Sequence, residues 1–188
     1  DNKAEFQSSW DDIALQFKIL HEKTYNKDFQ LNYHAWSALP TDSNSFWANT
    51  QEPYLGCSKE FWARGMGWYF AALVDVLEFM PQDHIDYQYM LTITNQVASG
   101  LKRWQDEKSG LWYQLLQYDS TMTADGIGDQ IAGKKYNVGT AINYLESSAS
   151  SIFTYAYFKG IRLGLLDKQE FLPVANKAYQ GLLDNFIE

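Results

Sequence analysis

The residues best suited to chemistry lie in one short block, Phe61-Trp62-Ala63-Arg64-Gly65-Met66-Gly67-Trp68-Tyr69. A guanidinium presents a planar fork of donors that matches a carboxylate. Indole faces offer an apolar platform on which a sugar ring can stack. Arg64 between Trp62 and Trp68 therefore suits an acidic sugar. Gly65 and Gly67 each lower helix propensity by about 1 kcal/mol relative to Ala and leave room for a group to approach the backbone. The plainer reading of the same block is a core helix with aromatic packing and a surface Arg.

Three further positions bear on this block. His34 follows a turn in Tyr33-His34-Ala35-Trp36, where a histidine serves either as a structural hydrogen-bonder or at a site. Gln114 lies in Leu111-Trp112-Tyr113-Gln114-Leu115-Leu116. Glu146 precedes Ser147-Ser148-Ala149-Ser150-Ser151, a run of small residues suited to close helix packing, and can also serve the positive end of a helix. Asp125-Gly126-Ile127-Gly128-Asp129 lacks the alternation and terminal Glu of a calcium loop. No paired metal histidines, phosphate-cradling Gly loop or nucleophile elbow is found, so neither a metal nor a cofactor is expected. The single cysteine, Cys57, excludes an intrachain disulfide and a Cys-based zinc cluster, and is expected to be a buried spectator.

These residues need a helical frame. Tyr69, Ala72, Leu73, Val76, Leu77 and Met80 recur at three- and four-residue spacing, which predicts a helix running from the Phe61 block to Met80. Ser58 is the expected N-cap, Glu60 favours the positive end, and Pro81 closes the helix. Ile13, Phe17 and Leu20 predict an earlier helix over about 9–24. Further helices are predicted over about 84–104, 143–163 and 168–187. Leu111-Trp112-Tyr113, after the turn signal Lys108-Ser109-Gly110, is expected to pair locally. Residues 117–142 read as a flexible insertion.

With 188 residues, 46 % of them hydrophobic, the chain can bury one sizeable core and is not intrinsically disordered. No apolar run approaches about 18 residues, which argues against a transmembrane helix. The net charge of −8 argues against nucleic acid or an anionic membrane as partner. The chain begins at Asp1 without Met, so the expectation is that its true start was removed or lies upstream; the residues do not reveal localisation.

An internal repeat organises the rest. Leu31 to Trp36 overlays Leu111 to Leu116 at an offset of 80, and Ile13 and Phe17 fall on Ile93 and Val97. Trp62-Ala63-Arg64 falls on Tyr144-Leu145-Glu146 at an offset of 82. A third unit opens with Phe171, Val174, Ala178 and Leu182. Each unit reads helix, turn, aromatic loop, helix, and such hairpins bury their faces only against neighbours. The expected fold is all-α: a single domain over 1–188, with about five helices, forming part of a toroid of helical hairpins. The overlay also gathers His34, Gln114, Arg64 and Glu146 at one end, as the mouth of a site.

Tyr33-His34-Ala35-Trp36, the Phe61–Tyr69 block running into Ala72-Leu73-Val74-Asp75-Val76-Leu77-Glu78, Asn143-Tyr144-Leu145-Glu146-Ser147-Ser148-Ala149 and Lys159-Gly160-Ile161-Arg162-Leu163-Gly164 together resemble the unsaturated rhamnogalacturonyl hydrolases of glycoside hydrolase family 105, relatives of family 88. The resemblance implies a partial (α/α)6 barrel and action on pectin-derived disaccharides ending in a 4,5-unsaturated uronic acid; a bacterial setting is expected, with the compartment, cytoplasm or periplasm, left unknown. It implies that His34, Trp62, Arg64 and Trp68 line the substrate pocket. It also places the family's catalytic Asp upstream of this chain, so neither Asp11 nor Asp12 takes that role and no catalytic residue is assigned here. Met66, where the family often has Asn, and Ser37, where Asp is common, are departures. The segment is expected to meet a missing barrel half or a second copy of itself. The alternatives are a non-catalytic acidic-sugar binding module and a helical-repeat interaction module.

Overall fold

A computed structural model describes residues 3–118, 130–131, 134–135 and 143–187. Five helices carry the described fold: α1 (Lys3–Thr24), α2 (Ala63–Phe79), α3 (Tyr87–Arg103), α4 (Ser147–Arg162) and α5 (Lys168–Phe186). Two short antiparallel hairpins accompany them, β1 (Tyr25–Asn26) with β2 (Leu31–Asn32), and β3 (Gln130–Ile131) with β4 (Lys134–Lys135). The predicted insertion lies largely outside the described residues, as does the Asp125–Asp129 stretch.

Helices α2 and α4 lie side by side, while α1, α3 and α5 form a second layer against them. The residues explain why α2 is central. Besides its predicted face it buries Met66, Phe70, Ala71 and Val74, so it is covered on more than one side. Phe70, Phe153, Tyr157 and Trp112 are fully buried at the junction of the layers. Trp112 meets Phe153 edge-on at 5.0 Å and donates its indole N–H to the Leu101 carbonyl at 2.7 Å. The Tyr157 hydroxyl donates to the Ala98 carbonyl at 2.6 Å. These two polar tips find partners inside the core, whereas the buried Tyr69 hydroxyl has none among the described residues.

The predicted boundaries shift for identifiable reasons. Helix α1 begins at Lys3, six residues before the expected start, and α4 begins at Ser147 because 143–146 is extended. Helix α2 begins at Ala63 with Trp62 at the N-cap. Ser58 is not the cap: its hydroxyl faces His34 Nδ1 at 3.1 Å. Glu60 lies outside the first turn and accepts from Gln117. In Leu111-Trp112-Tyr113 the local pairing is confined to Leu111, whose carbonyl accepts from Asp106 N–H at 2.8 Å. Tyr113 bridges Leu145, and Leu115 bridges Trp62, so this segment spans the starts of two helices. The repeat also needs adjustment, because the caps of α2 and α4, Trp62 and Glu146, differ by two residues from the offset that aligns Trp62 with Tyr144.

Cys57 is buried, its Sγ directed at the Lys23 carbonyl at 3.1 Å. No helix among the described residues is long and apolar enough to cross a membrane.

Truncating Phe153, which is 0 % exposed, should cost about 3–5 kcal/mol as Phe153→Ala through lost burial and a residual cavity. Phe79→Ala, at a position 72 % exposed, should stay within about 0.5 kcal/mol. Urea denaturation followed by circular dichroism checks both.

Candidate functional site

The starts of α2 and α4 are held together by main chain. Ala63 N–H donates to the Gln114 carbonyl at 2.9 Å and Leu116 N–H to the Phe61 carbonyl at 3.0 Å. On the other edge, Gln114 N–H donates to the Tyr144 carbonyl at 2.9 Å and Glu146 N–H to the Trp112 carbonyl at 2.8 Å. Three extended segments therefore lie in a row, and two of them lead straight into helices. Their side chains are carried to one end of the bundle.

Arg64 and Glu146 meet there. Arg64 Nη1 donates to Glu146 Oε1 at 3.2 Å, and the guanidinium lies 4.9 Å from the Trp62 ring centre. Glu146 is buried and is also the N-cap of α4: one carboxylate oxygen accepts from Ala149 N–H, and Ser148 Oγ lies 2.8 Å from the other. Helix starts expose unsatisfied N–H groups and a partial positive charge, so a carboxylate belongs here. The Arg64 side chain is 39 % exposed. With one contact to Glu146, the guanidinium fork retains donors for a second carboxylate.

His34 completes this side. Its Nδ1 is 3.2 Å from the Glu60 carbonyl, which only accepts, so Nδ1 carries the proton and Nε2 is left as an acceptor. Its ring meets Trp62 edge-on at 5.7 Å. Burial against these neighbours lowers its pKa below the ordinary histidine value. A neutral imidazole does not attract a carboxylate by charge, so of His34 and Arg64 only Arg64 is suited to an anion. Gln114 accepts from the Tyr144 hydroxyl, and Tyr144, 53 % exposed, adds an aromatic face to the mouth. Sequence reasoning did not single out Tyr144, although the overlay with Trp62 placed an aromatic there.

Trp68 stands apart from this group. It is 64 % exposed and lines an apolar groove of about 460 Å³ between α1 and α2, with Phe17, Ile19, Leu20 and Tyr69. The two glycines do not leave open room for a ligand. A Cβ on Gly65 would lie 2.9 Å from His34 Cβ, and one on Gly67 would lie 3.3 Å from Ile152 Cγ2, so both admit the protein's own side chains. Met66 is buried in the core, and Ser37 bonds Ser45 at 2.8 Å. Among the described residues, no group of three or more His, Cys, Asp and Glu side chains could hold a metal ion.

A double layer of helices with an Arg, a His and aromatic rings gathered at one end is the arrangement against which similar proteins can be compared. The chain belongs to glycosyl hydrolase family 88, whose model matches residues 3–125 and 136–188. It is 34 % identical over 148 residues to Protein Atu3128 of Agrobacterium fabrum, covering 77 % of this chain and 53 % of that protein. It is 27 % identical over 176 residues to the unsaturated 3S-rhamnoglycuronyl hydrolase of Formosa agariphila, covering 93 % of this chain and 39 % of that one. A solved family 105 glycoside hydrolase of C. acetobutylicum ATCC 824 superposes with a TM-score of 0.76 at 34 % identity, over 96 % of this chain and 43 % of that one. The chain thus lies within the family 105 and 88 group, and its all-α architecture is part of an (α/α)6 barrel. It spans about half the length, or less, of these relatives.

Two outcomes test this geometry. Glu146→Ala removes a helix cap and should cost about 1 kcal/mol or more in urea denaturation, whereas Glu146→Gln, which keeps an acceptor for Ala149, should cost less. Burial also lowers the pKa of His21. The unfolded chain then binds protons more readily than the folded one below the ordinary histidine pKa of about 6.5. Stability contributed by neutral His21 and His34 is therefore present above that pH and lost as pH falls through their folded values. Melting temperature should drop from pH 7.5 to pH 5, and less so in His21→Gln.

Proposed function

We propose that this chain supplies the carboxylate-binding wall of a glycosidase that removes a 4,5-unsaturated uronic acid from a pectin-derived, rhamnogalacturonan-type disaccharide. The observation that carries the reading is Arg64, held by Glu146 at 3.2 Å and lying 4.9 Å from the ring centre of Trp62 at the joint mouth of α2 and α4. Arg64 would bind the uronate carboxylate, Trp62 would stack on the sugar ring, and His34 Nε2 would accept a sugar hydroxyl. Trp68 would extend the platform towards α1.

The chemistry expected of such a substrate is hydration. A general acid protonates C4 of the enol ether, and water adds at C5 and gives up a proton. The resulting hemiketal opens, breaking the C5–O5 ring bond and turning C5 into a ketone. C1 is left as a hemiacetal, whose collapse to an aldehyde breaks the C1–O bond and releases the second sugar with a proton on its oxygen. The acid is placed on a part of the barrel outside this chain, and an oriented general acid contributes about 10²–10⁴-fold. The chain alone is then a domain-sized segment that binds without turnover. The apolar strip of Leu15, Ile19 and Leu20 on α1 is where the remaining barrel, or a second copy, would pack.

Titration with an unsaturated rhamnogalacturonan disaccharide should quench tryptophan fluorescence, and Arg64→Ala should abolish the quench. The disaccharide's ultraviolet absorbance should persist in the presence of this chain alone. Absence of any quench, or a quench that survives Arg64→Ala, would sink the reading. Loss of absorbance would overturn the placement of the acid elsewhere. Concentration-dependent association in sedimentation supports the strip as a seam, and a strictly monomeric chain argues against it.

A further inference from the structure

A second hollow lies on the outer layer, away from the α2–α4 mouth. The β1–β2 hairpin folds back onto the last turns of α3 and is clamped there. Gln30 adopts a left-handed backbone, φ 59°, and its carbonyl approaches Gly100 so closely that a Cβ there would lie 1.8 Å from it. Arg103 Nη1 donates to the Asp28 carbonyl at 2.8 Å, and Trp104 Nε1 to the Phe29 carbonyl at 2.8 Å. Between this hairpin and the outward face of α3 is a groove of about 540 Å³.

Its lining has a particular chemistry. Tyr25, Gln30, Thr92, Asn95, Gln96 and Ser99 contribute a phenol, three amides and two hydroxyls, and none of its lining side chains is ionised. His21 stacks on the Tyr25 ring at 4.5 Å, holding that ring in place. Asn95 donates its amide N–H to the Leu91 and Leu165 carbonyls, which fixes the amide plane and leaves its oxygen as an acceptor. The Tyr25 hydroxyl, the Gln30 amide and the Ser99 hydroxyl have no hydrogen-bond partner among the described residues. Donors and acceptors interleaved around a held aromatic ring suit a polyol, because each sugar hydroxyl both gives and accepts. Beyond its Tyr25–Gln96 edge, Glu22 and Lys27 offset each other, so the groove offers no net cation to a uronate.

We propose that this outer groove binds a neutral sugar unit of an oligosaccharide, at a site separate from the α2–α4 mouth. The proposal does not depend on the reading of that mouth. Such a site would hold a neutral stretch of a longer chain while an acidic end reaches elsewhere, and two weak sites on one body raise overall retention without new contacts.

The test is a titration of the isotopically labelled chain with neutral galactotetraose, read by amide chemical shifts, with tetragalacturonate as the acidic counterpart. The neutral probe should move amides of Tyr25, Gln30, Gln96 and Ser99, with a dissociation constant on the order of 1 mM. Tetragalacturonate should move residues around Arg64 and leave the groove unchanged. Ser99→Arg fills the groove from an exposed position of α3 and should weaken neutral binding about tenfold or more. Tyr25→Ala should do the same if it folds, and Ser99→Arg carries the test if it does not. No shift with galactotetraose, shifts only elsewhere, or binding unchanged by Ser99→Arg would each overturn the proposal. Shifts at Arg64 without shifts at the groove would overturn this proposal and leave the mouth standing.

Discussion

The arrangement depends on one short main-chain ladder. Residues 112–116 accept from and donate to 61–63 on one edge and 143–146 on the other. Without it, the starts of α2 and α4 would end in unpaired N–H groups, and their side chains would have no fixed spacing. Trp112 anchors the ladder from below. It is fully buried, packed on Phe153 and bonded to the Leu101 carbonyl, so the middle segment cannot shift without opening the core. A site at the end of a helix bundle is usually built from loops, and here the loops behave as a small extended layer.

Charge is used economically at this mouth. Glu146 satisfies the end of α4, and the same carboxylate holds Arg64. Arg64 is positioned by an acid and an aromatic ring and still reaches solvent. His34, with its proton fixed on Nδ1 by the Glu60 carbonyl, adds an acceptor without adding charge. The mouth therefore contains one cation available to an anionic sugar among these residues, and its neighbours orient it.

Much of the frame was legible in the residues, and what was not has a physical cause. The α2 stripe announced a helix, but Phe70 and Val74 lie off that stripe; their burial comes from a second covering layer that no single periodicity shows. The first turns of α1 do continue the stripe through Phe6 and Trp10, but polar residues beside them, such as Gln7 and Asp11, which bond each other at 3.2 Å, obscure it. Ser58 looked like a cap because its type suits one, yet tertiary contact with His34 claims its hydroxyl. The overlay of repeats brought Arg64 and Glu146 to one place, but their ion pair depends on side-chain directions that sequence spacing does not carry. Gly65 and Gly67 read as space for a visitor, and the space is already filled by His34 and Ile152.

Arg64 and Glu146 are 82 residues apart in the chain. Such a contact closes only after the intervening helices have found their places, because chain entropy penalises distant pairing before local structure forms. The mouth therefore exists only while α2 and α4 are docked side by side, and it is lost whenever they separate. Competence to recognise a ligand there reports on completion of the whole fold, which makes the mouth a built-in gauge of whether a given molecule has finished folding.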